Sequence, residues 1–439
     1  MMLRAAIAAL LFGAIASPAI VPRVTAEEVV YTFTNPDNGS GPMWSFGCSP
    51  VARVGDRVFV AQMETGEDVP RLCNTRWRLL ERTTDGWKPL AEADAYKQRE
   101  PTILTTDAKE GLYLYANDSL MPPGAEYGAC EPHLLRFDLG TPPIVSRKMT
   151  PTWEGTPTFT DHSYRGYAAD AQHRQIAMFN IDAQTSEQNY CFLSMDGQPF
   201  GNGKLTFPIR ACYPQVAIEN GRAHIVAVGD IVEPNKEWQQ YKFEKTGSKW
   251  DYVFRRLFYA RCNDLKSAAF AAPIEIANVD ATAGHIANQD LWIAPNGDAY
   301  ILYIEREVSS AIMRDKFFPG KSTLGNLVMA IAREGKPIER HVLLKGNAET
   351  QPGNARFHVM ANGDVYALLY VSGAHTRNVL MPISPKLDPE ELIDIPFKAP
   401  FGSFLNASVR AGNAQSNTID VIGHNGVADA VSYGQIVFE

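Results

Sequence analysis

The sequence predicts an all-β chain folded as a single seven-bladed β-propeller with long blade insertions. Three observations predict it: a two-strand phrase that recurs seven times, a regular spread of that phrase along 439 residues, and a near absence of amphipathic helical periodicity. Each copy runs from a polar or aromatic lead-in through a short apolar strand and a turn bearing Gly, Asn or Asp into a second apolar strand. The copies are SPVARVGDRVFVA from Ser49, EPTILTTDAKEGLYLYA from Glu100, YRGYAADAQHRQIAMF from Tyr164, YPQVAIENGRAHIVAV from Tyr213, QDLWIAPNGDAYILYI from Gln289, ARFHVMANGDVYALLY from Ala355 and the less regular LNASVRAGNAQSNTIDVIG from Leu405.

Successive copies start 51, 64, 49, 76, 66 and 50 residues apart. Each interval holds a four-stranded blade, which takes roughly 40–50 residues, plus loops. A β-sandwich is the competing architecture, but seven similar phrases favour radial repetition, which also protects sheet edges. Only the stretches 79–82 and 389–392 hint at short helices.

At the start of the chain, Arg4, an apolar run over 5–16 and the small-residue sequence Val24-Thr25-Ala26 read as a signal peptide over 1–26, with the propeller over 27–439. The run is shorter than the roughly 20 residues of a spanning helix, and no later segment is long and apolar enough. A secreted or periplasmic location follows as an expectation. Removing the leader takes Arg4 and Arg23 but no acid from a net charge of −8, leaving about −10. That balance disfavours a general nucleic-acid binder, which needs a basic surface.

The six cysteines, Cys48, Cys73, Cys130, Cys191, Cys212 and Cys262, are even in number and suit disulfides in an oxidising compartment. Cys48 with Cys73 is a candidate local pair, although the connectivity stays open. No cofactor is expected; a structural metal ion held by a cysteine and a histidine from different blades is the alternative.

Residues just before the innermost strands of a propeller converge on one mouth. Applied to the seven phrases, this gathers Arg99, Glu100, His162, Tyr164, Arg165, Tyr213, His285, Asn288, Asp290 and Arg356. The group is rich in imidazole, phenol and guanidinium, which suits proton transfer beside a bound anion. His162, Tyr164, Arg165 and Tyr213 are the candidate catalytic residues. Arg99, Glu100, His285, Asn288 and Arg356 are candidate substrate contacts. His224 and His358 alternate within strands and read as blade packing.

The aromatic stretch 233–261 is the main departure from a minimal blade. Strand alternation puts Trp250, Tyr252, Phe254, Arg256 and Phe258 on one face, and Arg255 and Tyr259 on the other, where they are further candidates for an anionic sugar. An outer hairpin packed on the next blade is the competing reading.

The phrases GHIANQDLWIAPNGDAYILYIE and DYVFRRLFYAR, with Thr84-Asp85-Gly86-Trp87 as a fragment of an Asp-box turn, resemble the BNR-repeat propellers over most of residues 44–439. That group includes sialidase-like proteins and secreted polysaccharide lyases. An intact Ser-x-Asp-x-Gly-x-x-Trp box is absent. The resemblance implies a propeller acting on an acidic polysaccharide or oligosaccharide by β-elimination, with His162 and Tyr213 as base and acid in either order and Arg165, with Arg255 or Arg356, neutralising a carboxylate. Two alternatives stand beside it: a sialidase-type hydrolase clamping a carboxylate with Arg99, Arg165 and Arg356, and a propeller that only binds glycan or protein.

Overall fold

The computed structural model describes residues 20–438 apart from 46, 123, 126, 141–143 and 145. Among the described residues, seven four-stranded antiparallel sheets form the blades of a propeller. From inside outward, blade I holds Val51–Val54, Arg57–Thr65, Thr75–Thr83 and Gly86–Glu92. The innermost strands of blades II to VI are Ile103–Thr106, Gly166–Asp170, Ala211–Glu219, His285–Ile293 and Thr350–Val359. Blade VII takes Ser403–Asn406, Thr418–His424 and Ala430–Phe438 from the C-terminal end and Pro22–Thr32 from the N-terminal end. The seven sequence phrases supply the two inner strands of each blade.

Those strands read as nearly continuous apolar runs because both of their faces are buried. In blade I, Phe59 and Ala61 pack with Leu104, Leu112 and Leu114 of blade II. Val58 and Val60, pointing the other way, pack with Ile422, Val431 and Tyr433 of blade VII. The period-two alternation of a strand thus divides its side chains between two inter-blade layers.

The ring closes through Pro22–Thr32, which pairs antiparallel with Ala430–Phe438 from Pro22↔Phe438 to Thr32↔Ala430. Residues 1–19 of the expected leader lie outside the described residues. Its expected end does not: Arg23, Val24 and Ala26 face Val437, Ile436 and Gln435. A cut after Ala26 would therefore remove the outer pairs of the closure.

The axis is filled from both ends. Cys48 sits there with its thiol 3.8 Å from the carbonyl oxygens of Arg165 and Tyr167. From the other side comes Arg410, whose Nε donates to Asp290 Oδ1 at 2.9 Å and whose remaining nitrogens donate to the carbonyls of Val216 and Gly47. The propeller consequently has two separate mouths. The upper one lies where the innermost strands begin.

Several expectations change. Residues 79–82 belong to the strand Thr75–Thr83, and 389–392 lie in a turn and loop. Among the described residues two α-helices sit in insertions instead: α1 (Lys236–Thr246) in blade IV and α2 (Ala311–Phe317) in blade V. Helix α1 is capped by the Asn235 side chain, which accepts from the backbone N–H of Glu237 and Trp238, and closed by left-handed Gly247. It buries no residue fully, so no apolar period announces it. The cysteines are free thiols, and Cys48 at the axis is not joined to Cys73, whose thiol instead neighbours Cys130. Among the described residues no group of three or more His, Cys, Asp or Glu side chains is placed to hold a metal ion. No helix there is long and apolar enough to cross a membrane.

Candidate functional site

The upper mouth is asymmetric. The innermost strands of blades IV, V and VI run nine, nine and ten residues, against four or five in the other blades. Each of the three long strands slips register near its upper end: between Cys212 and Gln215, between Asn288 and Asp290, and between Pro352 and Ala355. A bulge of this kind takes residues out of the ladder and re-aims their side chains. Here the effect is a cavity of about 380 Å³ walled by Tyr213, His285, Asn288, Gln289, Asn354 and Arg356, with Met43, Phe254 and Phe404 closing its apolar sides.

A chain of rings leads from this cavity across the mouth. Phe254 meets His285 edge-on at 5.8 Å and Tyr213 at 5.6 Å. Tyr213 meets Tyr164 edge-on at 4.7 Å, Tyr164 stacks on His162 at 4.1 Å, and His162 meets Trp44 at 6.0 Å. Tyr164 (φ 41°) and Tyr213 (φ 54°) both hold left-handed backbone, which costs a residue with a side chain about 1–3 kcal/mol. Asn288 Nδ2 donates to the Tyr213 carbonyl at 2.7 Å and helps hold that conformation.

Burial sets the protonation states. It pulls His285 down to about 4, aided by Arg306 and Arg255, and His162 down to about 4, aided by Arg99 and Arg210. Both imidazoles are neutral at pH 7. Burial and the neighbouring Tyr164 push the Tyr213 phenol far above its ordinary range, so it keeps its proton. Among the buried polar atoms without a hydrogen-bond partner among the described residues, His162 Nε2, Asn354 Oδ1 and Arg356 Nε lie at this mouth. Two of those residues line the cavity.

Tyr213, His285, Asn288 and Arg356 thus come together, and His162 and Tyr164 adjoin them. Arg356 donates to the carbonyls of Gln289 and Ala355, and burial pulls it down to about 10. The remaining expected residues are committed elsewhere. Arg165 is buried and donates to the carbonyls of Tyr115 (3.2 Å) and Pro101 (2.7 Å). Glu100 accepts from Ser163 Oγ at 2.8 Å and lies 3.9 Å from His162. Arg99 pairs with Asp161 at 3.1 Å, and Asp290 with Arg410.

The expected alternation over 250–261 breaks at Phe254 and Arg255, between the strands Tyr252–Val253 and Arg256–Cys262. Arg255 makes a buried bidentate pair with Glu233, at 3.0 and 2.5 Å. Tyr259 bonds His224 Nδ1 at 2.7 Å inside blade IV, away from the mouth. His358 bonds the Ser416 carbonyl.

Two residues of the upper mouth were missed by sequence reasoning. Asn354 stands immediately before the phrase from Ala355. Arg210 stands one position before the strand Ala211–Glu219, and its guanidinium pairs with Asp230 at 2.6 Å over the Tyr164 ring. Extending the lead-in rule by one to three residues would have reached both.

No family model matches this chain, and no curated protein does. Solved structures do share its architecture. A PL25 ulvan lyase bound to -[GlcA(1-4)Rha3S]- aligns with TM-score 0.57 at 9% identity, over 94% of this chain and 95% of that one. The polysaccharide lyase Uly1 aligns with TM-score 0.50 at 9% identity, over 95% and 98%. The BP39L lectin from Burkholderia pseudomallei aligns with TM-score 0.51 at 12% identity, over 89% and 96%. At such identities the shared property is the fold. The chain is a seven-bladed β-propeller. The expected BNR-repeat kinship gains no support from these matches.

Proposed function

We propose that this chain is an exported carbohydrate-active propeller that cleaves a uronate-containing polysaccharide by β-elimination. The observation that carries the reading is the cavity in which a neutral imidazole, a protonated phenol, two carboxamides and a guanidinium converge: His285, Tyr213, Asn288, Asn354 and Arg356. Propellers of similar architecture include an ulvan lyase bound to a glucuronate-containing glycan, which supports the substrate class.

Elimination removes the proton beside the uronate carboxylate, forms a C4–C5 double bond and breaks the C4–O bond to the next sugar. Arg356, with the carboxamides of Asn288 and Asn354, draws in the carboxylate and stabilises the charge that develops as the C5 proton leaves. His285 takes that proton. Burial makes it a weak base in the empty site, and the entering carboxylate raises its basicity by direct attraction. Tyr213, still protonated at neutral pH, gives its proton to the departing glycosidic oxygen. This assignment moves the base from His162 to His285. Tyr164, stacked on His162, packs edge-on against Tyr213 and holds its ring.

The test is to incubate the protein with a panel of uronate polysaccharides and follow ultraviolet absorbance and reducing ends together. New absorbance with reducing ends is the expected result. Reducing ends alone would indicate hydrolysis, and binding with neither would leave a lectin-like propeller. A leader that ends before Pro22 would leave the ring closure whole; N-terminal sequencing of the exported chain checks this.

A further inference from the structure

The insertion of blade IV presents an aromatic surface that the proposed chemistry does not use. Trp250 is 79% exposed and Tyr252 43% exposed, and their rings stack at 6.1 Å with 28° between planes. Large aromatics rarely sit this open unless something covers them in use.

The pair is held firmly although it is exposed. Tyr252 and Val253 pair with Val232 and Ile231, and Ser248 Oγ donates to the Trp250 carbonyl at 3.1 Å. Beneath it, Lys242 bridges Glu233 and Asp251, and Glu233 also takes the bidentate Arg255. The ordering cost of this ledge is therefore met in folding, before any ligand arrives.

The ledge is continuous with the upper mouth. Arg210 lies between two tyrosine faces, 5.8 Å from the Tyr252 ring centre and 5.1 Å from that of Tyr164, and Tyr164 in turn meets Tyr213. A pyranose ring offers an apolar face of C–H groups to an aromatic plane, while an acidic substituent on it needs a cation at its edge. Trp250 and Tyr252 supply the plane, and Arg210, partly open to solvent, supplies the cation through the part of its guanidinium that the Nη1 pair with Asp230 leaves.

We infer that the Trp250–Tyr252 ledge is an outlying sugar subsite, which stacks a ring of an acidic polysaccharide chain whose reacting bond lies in the His285–Tyr213 cavity. The inference rests on the polysaccharide reading of that cavity, and it makes the protein a binder of long chains rather than of short oligosaccharides.

The experiment compares Trp250→Ala and Tyr252→Ala with the unaltered chain. Binding to a long uronate polysaccharide is measured by affinity electrophoresis, and cleavage of the same polymer and of its shortest cleaved fragment by absorbance. Each substitution should weaken polymer binding about tenfold, equivalent to ~1.4 kcal/mol. KM for the polymer should rise correspondingly, with kcat and fragment cleavage unchanged. Unchanged polymer affinity in both variants would overturn the ledge. So would sedimentation showing that the unaltered chain is a dimer that either substitution splits, since a second copy would then be the occupant. Polymer binding that is lost in the variants without any cleavage by the unaltered chain would keep the ledge and sink the lyase reading.

Discussion

The two mouths of the propeller differ in a way that cavity size does not reveal. The lower mouth holds the larger space, about 580 Å³ against about 380 Å³ above, and it too gathers charged groups, among them Asp170, Glu219 and Arg410. Its innermost strands run in regular register into tight turns: Val216 to Glu219 pair without a slip with Ile225 to Arg222. Two of these charges are spent on structure. Asp170 accepts from the backbone N–H of His173 and Asn220, and Arg410 locks Asp290 at the axis. Above, three strands bulge, two tyrosines hold left-handed backbone, and polar atoms are buried without partners. The register slips of three neighbouring strands, rather than volume, mark the upper mouth.

The largest test of this contrast is catalytic. Tyr213→Phe and His285→Ala should each lower cleavage roughly a hundredfold or more, the range for a lost proton-transfer group. Glu219, pushed up to about 7 by burial and Asp170, is the most acid-base-like group below. Glu219→Gln should nevertheless leave cleavage within about twofold. Equal damage from the lower substitution, read by the same absorbance assay, would reverse the assignment of the mouths.

A second test asks whether the lower mouth is structural. Arg410→Met would leave Asp290 buried with its charge unpaired, a change that costs about 3–5 kcal/mol. Denaturant unfolding should show that loss, while kcat per folded molecule holds. A stable Arg410→Met protein with no activity would tie the axis to the chemistry instead.

The smallest effect concerns acid. Burial in blade VI holds His358 down to about 4, against an ordinary value near 6.5. The unfolded chain takes up this proton first, so stability is full above about pH 6.5 and falls as pH drops toward 4, by about 3 kcal/mol in total for this residue. His358→Gln should flatten that part of the stability profile without moving the pH dependence of cleavage. If it shifts the cleavage profile as well, the blade interior and the upper mouth are not independent.

Much of the architecture is legible in the chain because blade formation is local. A hairpin such as APNGDAYILYI carries its own turn and its own alternation, so seven copies announce seven blades. The convergence of Tyr213, His285, Asn288 and Arg356 follows from the same repeat. What escaped were features set by contacts between distant segments. Arg165 and Arg255 look like free cations in sequence and are consumed by Pro101, Tyr115 and Glu233 in the fold. Helix α1 escaped because it has no regular apolar period, and its Trp238 and Tyr241 pack on Phe317 and Phe318 at the end of the distant helix α2.

By itself, then, the sequence determined an all-β repeated chain and the arc of residues facing one mouth, because turn chemistry and strand period act between neighbours. Only the tertiary structure decided which of those residues share a cavity, that residues 22–32 close the ring, and that the bulges of blades IV to VI choose the upper mouth. Those outcomes depend on register and on partners tens to hundreds of residues away, which no local pattern encodes.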